Sequence, residues 1–167
     1  MKVGLLSDTH GYLDPKVFEY FNQVDEIWHA GDIGTLSVTE SLSHFKPLKA
    51  VFGNIDDLVT RQKFEEDLWF QAEDLTVWMT HIGGTPPHYN PRITKILKQR
   101  IPDVLICGHS HILKVQKDSL HNNLLFINPG AAGNHGFHVI RTLIRMEIEG
   151  KIIRKLEVIE LGKRGAL

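Results

Sequence analysis

Five apolar runs of this sequence each end in a polar residue of a type that binds metal ions. The runs are VGLLS, IWHAG, AVFG, LTVWMT and DVLICG, and the residues that follow them are Asp8 with His10, Asp32, Asn54, His81, and His109 with His111. Short apolar runs predict buried strands, and in an open α/β sheet ligands bind beyond the carboxyl ends of the strands. If these strands are neighbours, all of these side chains converge on one crevice.

The segments between these runs predict a mixed α/β architecture. Predicted strands are 2–7, 26–29, 48–52, 69–70, 75–80, 104–107, 113–117, 124–127, 139–148 and 152–159, and predicted helices are 15–22, 37–45 and 92–100. The early βα units predict parallel strands covered by helices, and the turn at Glu149-Gly150 predicts a late antiparallel hairpin. Two sheets with flanking helices would accommodate both. The 167 residues predict one domain, 1–167, whose core needs no disulfide.

Charge and cysteine content exclude some function classes. The formal net charge is −1, so bulk electrostatics do not indicate nucleic-acid binding. The single cysteine, Cys107, lies in an apolar run, which predicts a buried small hydrophobe and a reducing compartment. No apolar stretch approaches the length that spans a membrane, and Met1-Lys2 leads into only a short apolar run. We therefore expect a cytoplasmic protein that is not membrane-bound.

The residue types at the strand ends favour transition metals. The chain has ten histidines, and neutral imidazole is a common ligand of first-row metals. Aspartate, histidine and asparagine donors suit Mn, Fe, Ni, Co or Zn, and the absence of cysteine ligands argues against a closed structural zinc site. Two neighbouring cations repel each other, and Asp32 is the natural candidate for a carboxylate that bridges them. Gly31, Gly53 and Gly108 are expected where the chain turns sharply to aim a ligand.

The ordered motifs SDTH, GD, GN, TH and GHSH resemble those of the calcineurin-like metallophosphoesterases. The resemblance spans residues 2–130, and the short chain is similar to the small bacterial and archaeal phosphodiesterase branch. It implies a four-layer α/β/β/α sandwich of two mixed sheets with flanking helices. It also implies two divalent metal ions, with manganese the first expectation. One would be bound by Asp8, His10, Asp32 and His111, and the other by Asp32, Asn54, His81 and His109.

The resemblance implies hydrolysis of a small phosphodiester by a hydroxide that bridges the two metals. Asn54 would stabilise charge on the phosphoryl oxygens, and Asp56 would lie beside it as a supporting residue of the catalytic centre. Many members have a proton-donating histidine after the GN pair, whereas this chain has Ile55. The small phosphodiesterase branch also tends to lack that histidine. His135 and His138, after the Asn-Pro-Gly loop, are alternative candidates that could face the site, and 83–87 could form a wall or lid.

Other functions remain open at this stage. A scaffold protein such as retromer's phosphoesterase-like subunit would use the same fold, but its mark would be lost ligand residues, and none is lost here. A phosphomonoesterase is disfavoured because Ile55 cannot protonate a poor leaving group. An amidohydrolase barrel needs roughly 200 residues or more, which this chain does not have. A homo-oligomer is compatible with the sequence.

Overall fold

The structure is a computed structural model that describes residues 1–165. Two five-stranded sheets form the centre of the molecule. The predicted domain 1–167 therefore ends with two residues, 166–167, that lie outside the described part. The first sheet contains β1 (Lys2–Leu6), β2 (Glu26–His29), β3 (Leu48–Ala50), β11 (Ile140–Glu149) and β12 (Ile152–Lys163), in the order β12-β11-β1-β2-β3. The second contains β4 (Asp67–Ala72), β5 (Leu75–Thr80), β8 (Val104–Ile106), β9 (Lys114–Asp118) and β10 (Leu124–Asn128), in the order β4-β5-β8-β10-β9.

Helices and short elements complete the described chain. The helices are α1 (Lys16–Tyr20), α2 (Leu36–Phe45), α3 (Leu58–Lys63) and α4 (Pro91–Leu97). A small hairpin is formed by β6 (Gly84–Thr85) and β7 (His88–Tyr89), and a 3₁₀ turn covers Ser119–His121. Among the described residues, no helix is long and apolar enough to cross a membrane.

The alternation of side chains along the strands creates four layers. Val3 and Leu5 of β1 pack between the two sheets with Val77 and Met79 of β5, whereas Leu6 faces away from this central core. The outer face of the first sheet packs against α1 and α2, and the outer face of the second packs against α4. Strands buried on both faces read as continuous apolar runs, which is the pattern that the sequence showed. The predicted α/β/β/α sandwich is confirmed.

Most predicted elements exist, with ends that shift by a few residues. Helix α3 and the β6–β7 hairpin were not predicted, because each is short. Strand β3 ends at Ala50 and is shorter than the predicted 48–52, because Val51 makes only an isolated parallel bridge to Glu65. The predicted late hairpin is present as β11–β12, but it joins the first sheet beside β1 and not the strands that precede it in the chain.

Candidate metal centre

The polar residues at the strand ends lie together at one edge of the two sheets. Strands β1, β2 and β3 run parallel in the first sheet, and β5 and β8 run parallel in the second. The ligand-type residues therefore come from both sheets, with Asp8, His10 and Asp32 following strands of the first and His81, His109 and His111 following strands of the second.

These side chains form two groups with the geometry of metal sites. Asp8, His10 and His111 make up one group, and Asp32, His81 and His109 make up the other. Within each group, one potential ligand atom per residue lies within 4.8 Å of the others. The two groups adjoin, because His10 Nε2 lies 3.8 Å from Asp32 Oδ2 and His81 Nε2 lies 3.9 Å from Asp8 Oδ1. Asp32 is thus close to both groups, which is the position a bridging carboxylate needs.

Five of these residues have a left-handed backbone conformation, which non-glycine residues rarely adopt. Their φ angles are +53° at Asp8, +48° at His10, +52° at Asp32, +68° at His109 and +58° at His111. The left-handed region costs a non-glycine residue roughly 1–2 kcal/mol. Such outliers concentrate at functional sites, where the surrounding structure holds them in place. The strain aims side chains from the ends of strands into a common space.

Glycines allow the loops at the strand ends to approach each other closely here. A Cβ on Gly31, whose φ is +93°, would lie 2.6 Å from Nδ1 of His81. A Cβ on Gly53 would lie 2.1 Å from Oδ1 of Asp32, although the backbone of Gly53 is outside the left-handed region. The predicted sharp turn therefore holds for Gly31, whereas Gly53 is needed for space. Gly108 resembles Gly53, since its Cβ would lie 2.1 Å from Ser7 Oγ.

Hydrogen bonding fixes the tautomer of His81. Its Nδ1 lies 2.7 Å from the carbonyl oxygen of Ala30, an acceptor only, so Nδ1 carries the proton and donates it. The Nε2 atom is buried and has no hydrogen-bond partner in the described structure, although it lies 3.2 Å from Oδ1 of Asp32. In the neutral ring, a nitrogen lone pair therefore faces a carboxylate oxygen. Two acceptors at this distance repel unless a cation lies between them, and a proton on Nε2 or a divalent metal ion fits that requirement.

His111 also directs an imidazole lone pair at a carboxylate, and its tautomer is set by a hydrogen bond with His138. His138 Nε2 lies 3.0 Å from the Gly133 carbonyl oxygen and donates to it, which leaves His138 Nδ1 as an acceptor. That Nδ1 lies 3.2 Å from Nδ1 of His111, which must then be the donor. His111 Nε2 is left unprotonated, 3.3 Å from Asp8 Oδ1 and 3.2 Å from His10 Nε2. Both metal-site groups therefore contain an imidazole that presents Nε2.

The ionisation of the centre reflects these contacts. Burial opposes the charging of His81, but the Asp32 and Asp8 carboxylates outweigh it and raise the pKa of His81 above its ordinary value. Burial would raise the pKa of Asp32, but contacts with His81 and the Ile55 amide hold that pKa below the ordinary value. Burial lowers the pKa of His10 despite the two carboxylates. A proton and a metal ion would thus compete for the same nitrogen of His81.

Asp56 holds together the loops that carry Asp32 and Asn54. Its buried carboxylate accepts backbone N–H groups of Ile33 at 3.1 Å, Gly34 at 2.7 Å and Gly53 at 2.7 Å. These bonds occupy the carboxylate, so Asp56 acts on the site through backbone positions. It was predicted beside Asn54 as part of the catalytic centre, and its carboxylate contacts here are with backbone N–H groups of the two loops.

His29 forms hydrogen bonds to the loops that follow β1 and β2. Gly31 N–H lies 3.2 Å from His29 Nδ1, so Nδ1 accepts, and Nε2 donates to Thr9 Oγ1 at 2.9 Å. Thr9 in turn donates to the Ile33 carbonyl. Burial lowers the pKa of His29 to about 4, which keeps this ring neutral.

An open cleft of about 250 Å³ gives access to the two groups. It is lined by His10, Asp32, Asn54, Ile55, His109, Ser110, His111, His135, Gly136 and Phe137. His135 is exposed, and its ring centroid lies 5.2 Å from that of His10. The structure therefore places Asn54 and His135 on the cleft, while His138 lies behind His111. The contact of His138 with His111 could not be predicted, because an isolated histidine beyond a loop carries no sequence signal of its partner.

Comparisons with known proteins agree with this geometry. The model of the calcineurin-like phosphoesterase superfamily domain matches residues 1–151. A probable metallophosphoesterase of Methanocaldococcus jannaschii is 30% identical over 166 residues, which cover 96% of this chain and 82% of the relative. A solved archaeal phosphodiesterase has a TM-score of 0.77 and 25% identity, covering 96% of this chain and all of that one. A Vps29 of Entamoeba histolytica solved with zinc has a TM-score of 0.72, 18% identity and coverage of 99% of this chain and 100% of its own, which shows a shared fold.

Proposed function

The chain belongs to the calcineurin-like phosphoesterase superfamily, and on that basis we propose that it is a phosphodiesterase that works with two divalent metal ions. The observation that carries the proposal is the pair of imidazole lone pairs that face carboxylates, His81 Nε2 at 3.2 Å from Asp32 and His111 Nε2 at 3.3 Å from Asp8. Hydrogen bonds on the opposite side of each ring hold both in this orientation. The metallophosphoesterase relatives support the same assignment.

The residues present fit two ions. Asp8, His10 and His111 would hold one, and His81 and His109 the other, with Asp32 between them and Asn54 completing the second. Nitrogen and oxygen donors without thiolate suit Mn, Fe, Ni, Co or Zn, and Mn is our first expectation among them. When bound, the ions would generate the attacking hydroxide near neutral pH and offset charge on the phosphoryl group.

The side chains around the cleft have separate tasks. Asn54 is exposed at the cleft and can donate its amide N–H to a phosphoryl oxygen, where negative charge increases as the water attacks. Ile55, with 45% of its surface exposed, lies where the family resemblance implies a proton donor and can only exclude water from a bound substrate. Two divalent ions, the buried carboxylates of Asp8 and Asp32, and one bound hydroxide would sum to about +1. The remaining charge suits a singly charged diester better than a dianionic monoester.

Parallel assays on two chromogenic esters test this function. Metal-loaded protein is expected to hydrolyse bis(p-nitrophenyl) phosphate faster than p-nitrophenyl phosphate, and Asp32→Asn should abolish both activities together with metal binding. Turnover that survives complete removal of metal would contradict the proposal. Stoichiometric metal binding without turnover of either ester would instead favour a binding role, of the kind that the exposed Phe137 on the cleft rim could serve.

A further inference from the structure

A second cavity, of about 320 Å³, adjoins the proposed metal centre. It shares His81 and Asn54 with the centre and the cleft. Its other walls come from the segment around α3, the end of β5 and the start of α4. Two arginines line it, Arg61 and Arg92, and their surroundings differ.

The charge of Arg92 is neutralised within the protein. Its guanidinium forms an ion pair with Asp67 at 2.5 Å, donates to Thr80 Oγ1 at 2.7 Å and lies 3.9 Å from Glu66. Such a paired arginine has little attraction left for a ligand. Its role in the cavity wall is to join α4 to the strands.

Arg61 is held in place by carbonyl groups and has no carboxylate partner in the described chain. Its Nε donates to the Asp56 carbonyl at 2.7 Å, and its Nη2 donates to those of Asn54 at 2.9 Å and Gly53 at 3.3 Å. The guanidinium also lies over the Phe52 ring, 4.9 Å from its centroid. In the described residues, Nη1 makes no hydrogen bond. Arg61 therefore presents a fixed, uncompensated positive charge with a free N–H edge, which is a preorganised site for a phosphate.

The other observation concerns Ile55, in the adjacent cleft. With no proton donor at this position, the leaving oxygen must depart with its electron pair and be stabilised by other means. An alkoxide departs poorly under these conditions. The oxygen that links two phosphorus atoms departs far more readily, because its charge spreads over the phosphate that it leaves with.

From these two observations we infer that the substrates of this protein are diesters of pyrophosphate, and that Arg61 receives the departing phosphate. The inference rests on the proposed phosphodiesterase function. A water oxygen forms a bond to one phosphorus, and the bond from that phosphorus to the bridging oxygen breaks. The electron pair of the broken bond stays on the bridging oxygen, which leaves as part of a phosphate monoester. The water protons pass to solvent, and the products are two phosphate monoesters.

The test compares two diesters in the same metal-loaded protein. One is symmetrical diphenyl pyrophosphate, and the other is bis(p-nitrophenyl) phosphate, which has no second phosphate. Loss of a charge-assisted hydrogen bond costs about tenfold or more in binding. Arg61→Gln is expected to lower the kcat/KM ratio of the pyrophosphate to the aryl diester by about tenfold or more. Arg61→Lys should retain part of that ratio, because the positive charge remains.

Arg100→Gln is the matched control. Arg100 is also an exposed arginine over an aromatic ring, 4.1 Å from the Trp69 centroid, but it does not line the cavity. This variant should leave both substrates and their ratio unchanged. Equal losses for the two substrates in Arg61→Gln would overturn the inference and reduce Arg61 to a support of the Asn54 loop.

A binding measurement separates this inference from the proposed function. Calorimetry with phenyl phosphate, the expected product, on the same metal-loaded proteins should show a dissociation constant that rises about tenfold in Arg61→Gln and is unchanged in Arg100→Gln. An unaltered dissociation constant in Arg61→Gln would overturn the inference even if the aryl diester is hydrolysed. If neither diester is hydrolysed by the unmodified protein, the proposed function fails, and the phosphate site at Arg61 is still decided by calorimetry.

Discussion

Nδ1 of His138 lies 3.2 Å from Nδ1 of His111 and fixes which nitrogen of His111 is free to bind a metal. His138 is itself held by the Gly133 carbonyl, so the chain Gly133–His138–His111 ends in an unprotonated Nε2 directed at Asp8. Partners of this kind fix the ring orientation and the tautomer of a ligand and increase its basicity.

His138→Ala is therefore expected to weaken metal binding in the group of Asp8, His10 and His111 by about 10–100-fold. His138→Gln should recover most of the affinity, because its carbonyl can accept from His111 Nδ1 while its amide donates to Gly133. Titration against a competing chelator measures both constants. His121→Ala, at a half-buried histidine paired with Asp118 outside the centre, is the control. Equal effects of the Ala and Gln changes at His138 would contradict the orienting role.

His109 and His111 are expected to serve different ions, because they belong to different groups. His109→Ala and His111→Ala should each retain about one metal ion where the unmodified protein holds about two. Anomalous scattering from crystals of each variant should show the remaining ion at opposite ends of the centre. A structure with both rings on one ion would refute this division.

Asp56→Asn is expected to lower the free energy of unfolding by about 2 kcal/mol, because an amide NH₂ group would face backbone donors that the carboxylate now accepts. Denaturant unfolding of the metal-free protein measures the loss. The neighbouring Asp57→Asn is the matched control: Asp57 caps α3, and asparagine caps a helix about as well as aspartate. A similar loss in both variants would assign the effect to α3 and not to the loops around the centre.

Hydrolysis rates across a series of aryl and alkyl phosphodiesters should fall steeply as the leaving group becomes more basic, because Ile55 supplies no proton. Ile55→His is expected to gain less than the about 10²–10⁴-fold that an oriented acid contributes, because Asp56 already accepts three backbone N–H groups and cannot orient the ring. His135→Ala should leave the steepness unchanged. A slope that becomes steeper in His135→Ala would identify His135 as the proton donor.

The buried ion pair of Asp14 with Arg141, 2.6 Å apart, should make stability depend on acid. Burial would raise the pKa of Asp14, but the Lys16 N–H and the Arg141 guanidinium hold that pKa below its ordinary value. Because the pKa of Asp14 is lower in the folded than in the unfolded chain, the ion pair stabilises the fold at a pH above the unfolded-state pKa. This contribution is lost as the pH falls through the folded-state pKa. Asp14→Asn should therefore destabilise the protein by roughly 3 kcal/mol at pH 7, with a difference that shrinks in acid. A pH-independent difference in urea unfolding would rule out this ion pair as its source.

The residues at the strand ends were predictable because each follows an apolar run that is readable on its own. Asp8 ends one run and His81 another, and no knowledge of the partner strand is needed to see either. The supporting residues were harder to foresee. Asp56 acts through three backbone N–H groups on two loops, and Arg61 through carbonyls, and neither kind of contact leaves a pattern in the sequence.

By itself, the sequence determined which side chains could bind metal and that parallel strands would carry them, because periodic burial and strand ends are local properties. Only the tertiary structure decided how those side chains are grouped. His111 lies beside His10, 101 positions away, because two sheets pack through a shared core and bring their carboxyl ends together. The same packing placed β11 and β12 beside β1 and put His138 behind His111. Contacts over such separations depend on the burial of whole faces, which no single segment of the chain encodes.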